Sequence, residues 1–341
     1  MQNKKLSLVI ATTPYGGNGQ ASSEHPDVRN WLIKTIRKIE SDSGRISSYD
    51  LVTYNDTPCH MVRNRAVMDA REAGADLLMF VDSDQSPDDQ IGIDANAVPF
   101  WDTAFNFIYR KWDKGPHVVG APYMGGGEGY ERVFVSKWRN RVGYENDIDF
   151  HLDSYTREEA VAMSGIQECA ALPTGLILYA VPAFDLIEPA PDDMAERIAM
   201  PIVKRIEAGN NTFTPEQMKE LVEFIVHEKT RLEQPYFYYE YTDQYQQKKA
   251  STEDITNTRD ISIAGILKLG YNPIQCAWSS WAGHWKPRNV SKPVCITASD
   301  VAQKFKNALK SGGNSEYKRV DVGELIDASA RQLQSRVSNP S

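Results

Sequence analysis

The chain has 341 residues, 41% hydrophobic and 25% charged, which is enough apolar material for a sizeable core and excludes wholesale disorder. Its 38 Lys and Arg stand against 46 Asp and Glu, and the resulting formal charge of −8 offers no general field for nucleic acid or an anionic membrane. Cys59, Cys169, Cys276 and Cys295 lie far apart with no CxxC, which argues against a zinc knuckle or a disulfide framework and for a reducing compartment. No stretch approaches the ~20 apolar residues that span a bilayer, and Leu6–Ala11 is too short for a signal-peptide core. The expected location is the cytoplasm, that of the host if the chain is viral, with no membrane partner. The expected organisation is one catalytic domain over residues 1–290 and a basic extension over 291–341.

Leu6–Ala11 reads as a buried first strand, ended by the turn residues of Thr12–Gly17. Trp31, Leu32, Ile36 and Ile39 share one face of a helix over Val28–Ile39, and Ser47–Tyr54 reads as a second strand. Pro58–Gly74 has proline near its start and glycine at its end, the punctuation of a helix. Asp76–Val81 is a short apolar run expected to be a central parallel strand. His117–Pro122, Gly175–Ala180 and Asn272–Ala277 are further strand candidates, the last of them expected to close the sheet. This alternation predicts an α/β fold with a mainly parallel central sheet and helices on both faces.

Three segments interrupt the pattern. Gly125–Asp153, rich in glycine, aromatic and charged residues, reads as an excursion over the site. Residues 192–232 are polar and helical in pattern, with a capping-box-like Thr214–Gln217, and are expected to form an inserted helical pair. Tyr236–Tyr241, with Tyr245 beyond it, is expected to be an aromatic strand buried in the sheet, with a sugar platform as the alternative.

The strongest chemical signal is Asp82-Ser83-Asp84 directly after the apolar run. Carboxylates two residues apart at a strand end project to one side and can jointly address a hard divalent cation, Mn²⁺ or Mg²⁺. The same triplet also serves as a polar turn capping the next helix. Its setting, after an apolar strand and a helix bearing Arg63-Asn64, favours the metal reading.

In these residues the sequence resembles the GT-A glycosyltransferases. The resemblance covers about residues 6–290 and implies a Rossmann-like GT-A fold and transfer of a sugar from a nucleotide-sugar donor. It implies donor contacts at Thr12, Thr13, Pro14, Arg63, Asn64 and Asp82, with Asp82 near the ribose. Asp84 would bind the metal, with Asp82 beside it. Gly175 would let the backbone pass beneath the donor sugar. Glu253 and Asp254, at a helix start, would face the acceptor, either of them serving as general base. His284, after the strand at Asn272–Ala277, would be the further metal ligand, and Lys286 would contact the diphosphate.

The acceptor is less legible. Arg132–Arg141 interleaves basic and aromatic residues, and residues 286–341 carry ten Lys or Arg against five Asp or Glu. Both could steer a nucleic acid, such as DNA with a hydroxylated base of the kind some phage enzymes glycosylate. A glycan or protein acceptor fits as well. Two other functions compete: a nucleotidyltransferase, for which Gly16-Gly-Asn-Gly19 is only a partial phosphate loop, and a non-catalytic carbohydrate- or nucleic-acid-binding module.

Overall fold

The first apolar run becomes a strand, β1 (Leu6–Thr13), and α1 (Pro26–Ser41), β2 (Ile46–Thr53), α2 (Cys59–Glu72) and β3 (Leu77–Asp82) follow in strict alternation. The structure is a computed structural model that describes residues 4–14, 24–54, 59–125, 132–139, 150–188, 209, 214–215, 235–241, 249–285 and 289–290. Beyond β3 come β4 (Gln85–Ser86), α3 (Phe100–Lys111), β5 (Val118–Gly120), β6 (Met124–Gly125), β7 (Arg132–Val133), β8 (Ser136–Trp138) and β9 (Leu152–Ser154). Then follow α4 (Arg157–Ala162), β10 (Ile166–Glu168), β11 (Leu176–Ala180), β12 (Glu240–Tyr241) and β13 (Lys249–Ser251). The described elements end with α5 (Glu253–Leu269), β14 (Ile274–Ala277), β15 (Gly283–Trp285) and β16 (Asn289–Val290).

Seven strands form the central sheet in the order β10-β14-β5-β11-β3-β1-β2. β1, β2, β3, β5 and β14 run one way, and β11 and β10 run against them. The fold is therefore α/β with a mostly parallel sheet. β3 is central, but its partner on the far side, β11, is antiparallel.

Period-2 alternation divides the core between the two faces. Val9, Ala11, Leu78, Phe80, Ile177 and Tyr179 pack with Val62, Ala66, Val67 and Ala70 of α2 and Ile261 of α5. Leu8, Ile10, Leu77, Met79, Val81 and Leu178 pack with Val28, Trp31 and Leu32 of α1 and Phe100, Trp101 and Phe105 of α3. Helices thus cover both faces, as the alternation predicts.

β14 is the last strand of the central sheet in chain order, and β15, which follows it, pairs antiparallel with β4 in a separate small sheet just beyond β3. One expectation is corrected: Tyr236–Tyr241 is not one strand. Only Glu240 and Tyr241 pair, while Tyr236, Phe237 and Tyr238 are buried in an irregular run. The inserted pair at 192–232 and the extension at 291–341 lie outside the described residues, apart from Gly209, Thr214 and Pro215 in the former. Among the described residues no helix is long and apolar enough to cross a membrane.

Candidate active site

The alternation that builds the core also aims the site. One step beyond Ala11 and Phe80 on the α2 face come Thr13 and Asp82, at the C-terminal ends of β1 and β3. The Thr13 hydroxyl donates to Asp82 Oδ1 at 2.5 Å. Thr12 points to the opposite face, where its hydroxyl meets that of Thr53 at 2.9 Å. Of the two threonines, only Thr13 lines the cavity of about 770 Å³ that opens at these strand ends. Strand ends of an α/β sheet are where such folds bind ligands.

Arg63 enters the cavity from the first turns of α2. Its Nη2 donates to Asp82 Oδ1 and Oδ2 at 3.2 and 2.9 Å, and its Nη1 donates to Glu253 Oε1 at 2.8 Å. The guanidinium is only 3% exposed. Burial works against its charge, and the neighbouring Cys59, Asp82 and Glu253 outweigh that and hold it well above the usual range. Burial likewise pushes the Asp82 carboxyl up, and Arg63 pulls it back. Removing one member of such a buried cluster typically costs about 3–5 kcal/mol, because an uncompensated charge stays behind. Arg63 thus ties α2, β3 and α5 together at the cavity wall.

Asp84 and His284, which line the same cavity, meet with His284 Nε2 at 3.3 Å from Asp84 Oδ2. The pairing of β4 with β15 creates the encounter, placing His284 across from Gln85, while the Trp285 amide donates to the Asp84 carbonyl at 2.6 Å. His284 Nδ1 lies 3.0 Å from the Met124 carbonyl. A carbonyl only accepts, so Nδ1 carries a proton, and Nε2 is the ring nitrogen that faces Asp84. A backbone carbonyl holding one ring nitrogen so that the other can ligate is the usual support of a metal-binding histidine. Among the described residues no group of three or more His, Cys, Asp or Glu is arranged to hold a metal ion. Among the described residues the candidate donors at this point are therefore one oxygen of Asp84 and one nitrogen of His284, with Asp82 engaged by Arg63 and Thr13. That set fits a cation completed by ligand phosphates and water.

The start of α5 supplies the third group. Glu253 is bound by Arg63, whereas Asp254 is half-buried on the cavity wall, accepting from Thr252 Oγ1 and the Ile255 amide. Burial and then the adjacent Glu253 push the Asp254 carboxyl above the usual range. Tyr239, from the aromatic run, lines the cavity, as do Tyr123 and Cys59, which were not singled out by sequence. Burial, with Asp254 and Asp82 adding to it, keeps the Tyr123 phenol protonated, and burial pushes the Cys59 thiol up to about 12. Tyr123 directly follows a strand candidate, a position from which it could have been found.

The remaining expected contacts divide between the cavity and positions away from it. Asn64 Nδ2 donates to the His60 and Phe237 carbonyls at 2.8 and 2.7 Å, and its Oδ1 accepts from the Tyr236 and Phe237 amides at 2.9 and 3.1 Å. All four hydrogen-bonding positions of the amide are filled by backbone, leaving none for a donor. Gly175 sits behind the cavity wall. A Cβ there would come within 2.6 Å of Gln85 Nε2 and 2.7 Å of the Tyr123 hydroxyl, so only glycine lets these side chains close on the backbone. Pro14 lines the cavity, and Lys286 lies outside the described residues. Within Arg132–Arg141, Lys137 pairs with Glu159 at 2.6 Å, and Arg132 lines the cavity.

No protein-family model matches the chain, and no curated protein matches it. Among solved structures it is similar to A197 from STIV, at 12% identity and a TM-score of 0.37 over 86% of this chain and 96% of that one. It is also similar to a protein described as a glucose-1-phosphate thymidylyltransferase from Bacillus anthracis, in complex with a sucrose, at 9% identity and a TM-score of 0.29 over 56% and 77% of the two chains. A third likeness is to HddC from Yersinia pseudotuberculosis complexed with GMP-PN, at 13% identity and a TM-score of 0.24 over 55% and 80%. Likenesses this distant assign neither a family nor an activity.

Proposed function

We propose that this chain is a metal-dependent glycosyltransferase of the GT-A type, moving a sugar from a nucleotide diphosphate to an acceptor hydroxyl. The observation that carries the reading is one cavity at the strand ends where the Asp84–His284 pair and the Asp254 carboxylate both lie. Asp84 Oδ2 and His284 Nε2 would hold Mn²⁺ or Mg²⁺ together with the donor's phosphate oxygens. Such an ion, when bound, neutralises charge on a leaving diphosphate.

The remaining work falls to the chain's own residues. Thr13, Pro14 and Asp82 line the end of the cavity formed by β1 and β3, where the nucleoside would sit. Thr13 and both Arg63 contacts occupy three of the roughly four lone-pair sites of the Asp82 carboxylate, leaving one for a ribose hydroxyl. Arg63 keeps Asp82 and Glu253 in place rather than binding the donor. Asp254 is the carboxylate left for the acceptor. As the acceptor oxygen bonds to the anomeric carbon and the bond from that carbon to the diphosphate breaks, Asp254 takes the acceptor's proton.

The test is donor turnover. Purified protein incubated with a panel of nucleotide sugars and Mn²⁺ is expected to release the free nucleoside diphosphate from one of them. Asp84→Asn should lower that release by at least about 100-fold while the protein stays folded. Full activity in a folded Asp84→Asn protein would remove the metal site from the mechanism. Release of pyrophosphate instead would point to nucleotidyl transfer.

A further inference from the structure

The charge of the cavity wall is lopsided. Asp82, Asp84, Glu253 and Asp254 supply carboxylates, while Arg63 and Arg132 are the only arginines or lysines lining the cavity among the described residues. Arg63 is committed to Asp82 and Glu253. Arg132 is exposed, makes no ion pair among the described residues, and lies over the Phe134 ring with its guanidinium carbon 5.4 Å from the centroid.

Its position is set by β6 and β7. Arg132 pairs with Gly125, and a Cβ on Gly125 would stand 2.2 Å from Phe134 Cε2 and 3.2 Å from His284 Nδ1. The Phe134 and His284 rings are 6.2 Å apart between centroids. Guanidinium, phenyl and imidazole thus run in series along one wall to Asp84. A stacked arginine keeps its in-plane donors free for a bidentate anion contact. An acid-rich cavity that accepts a dianion needs such a charge beside the metal ligands.

We infer that Arg132 is the residue that grips the donor's diphosphate, along the same wall as His284 and Asp84; this rests on the proposed function. It would hold the leaving group in the ground state and stabilise its charge as the sugar departs. The Lys286 position expected from sequence is not needed for this contact.

Titration calorimetry in MnCl₂ tests the assignment, with UDP, GDP, ADP and dTDP and the matching nucleosides as probes. Wild-type protein should bind one diphosphate. Arg132→Gln should bind that diphosphate about 10- to 100-fold more weakly, the nucleoside with unchanged affinity, and should lose much of the wild type's salt dependence. Arg132→Lys should recover part of the loss, as a point charge without the bidentate fork. Equal diphosphate affinity in wild type and Arg132→Gln would overturn the inference and leave the proposed function standing, with Arg132 then free for the acceptor. If wild-type protein binds none of the four diphosphates, the donor reading itself falls and takes the inference with it.

Discussion

Asp254 differs from its neighbour Glu253 in one respect that bears on chemistry. Glu253 is locked by Arg63, whereas Asp254 faces the cavity with its carboxyl held above the ordinary value of 3.8 by burial and by Glu253. A general base must be ionised, so activity should fall as the pH drops through this raised value and be complete above it. The expected profile of kcat is an acid limb shifted above the range of a free aspartate. Asp254→Asn should abolish that limb and lower kcat by about 10²- to 10⁴-fold without changing donor affinity. An acid limb that survives in Asp254→Asn would place the base elsewhere. The sequence offered Glu253 and Asp254 as equals, because both sit in the first turn of one helix. Arg63, 190 positions away, decides between them.

At the scale of elements, α2 shows how adjacent residues separate in role. Successive helical positions differ by about 100° around the axis, so Arg63 reaches the cavity while Asn64 turns towards residues 235–238. There its amide oxygen takes the two backbone N–H groups of Tyr236 and Phe237 that a strand partner would otherwise take. Asn64→Asp would aim a carboxylate at two carbonyls now 2.7 and 2.8 Å from Nδ2, with no donor between them. It should cost on the order of 3 kcal/mol in urea unfolding. The loss should shrink at acid pH, where a protonated carboxyl can donate once. An unchanged midpoint would mean the segment is held by its aromatic packing alone. The Arg63-Asn64 pair was visible in the sequence, but its division of labour was not, since Asn64's partners Tyr236 and Phe237 lie more than 170 positions away.

For the whole molecule, metal and donor should be linked to folding. Anything that binds only the folded state at about 100 times its Kd adds about 2.7 kcal/mol of stability. Scanning calorimetry should show a higher Tm with Mn²⁺ and the matching nucleoside diphosphate together, reversed by EDTA. In Asp84→Asn the metal-dependent part of that shift should vanish. A wild-type Tm indifferent to metal in the presence of the diphosphate would count against a shared metal–phosphate site. The linkage is expected to need both components, because in the proposed site Asp84 and His284 would bring two ligands to the ion and the phosphates would bring others.

The sequence by itself determined the α/β class, most strand and helix positions, and the Asp82-Ser83-Asp84 triplet at a strand end. These are local or periodic signals, written in runs of apolar residues and in the residues that stop them. Strand period also implies that Thr12 and Thr13 face opposite ways. The tertiary structure alone decided which polar groups meet. The antiparallel entry of β11, the two-residue β4 that captures β15 and so delivers His284 to Asp84, and the closure of Arg63 on Glu253 all depend on pairings across long separations. Strands of two or three residues carry too little periodicity to be read in advance, and a buried charge cluster has no signature until the chain folds it together.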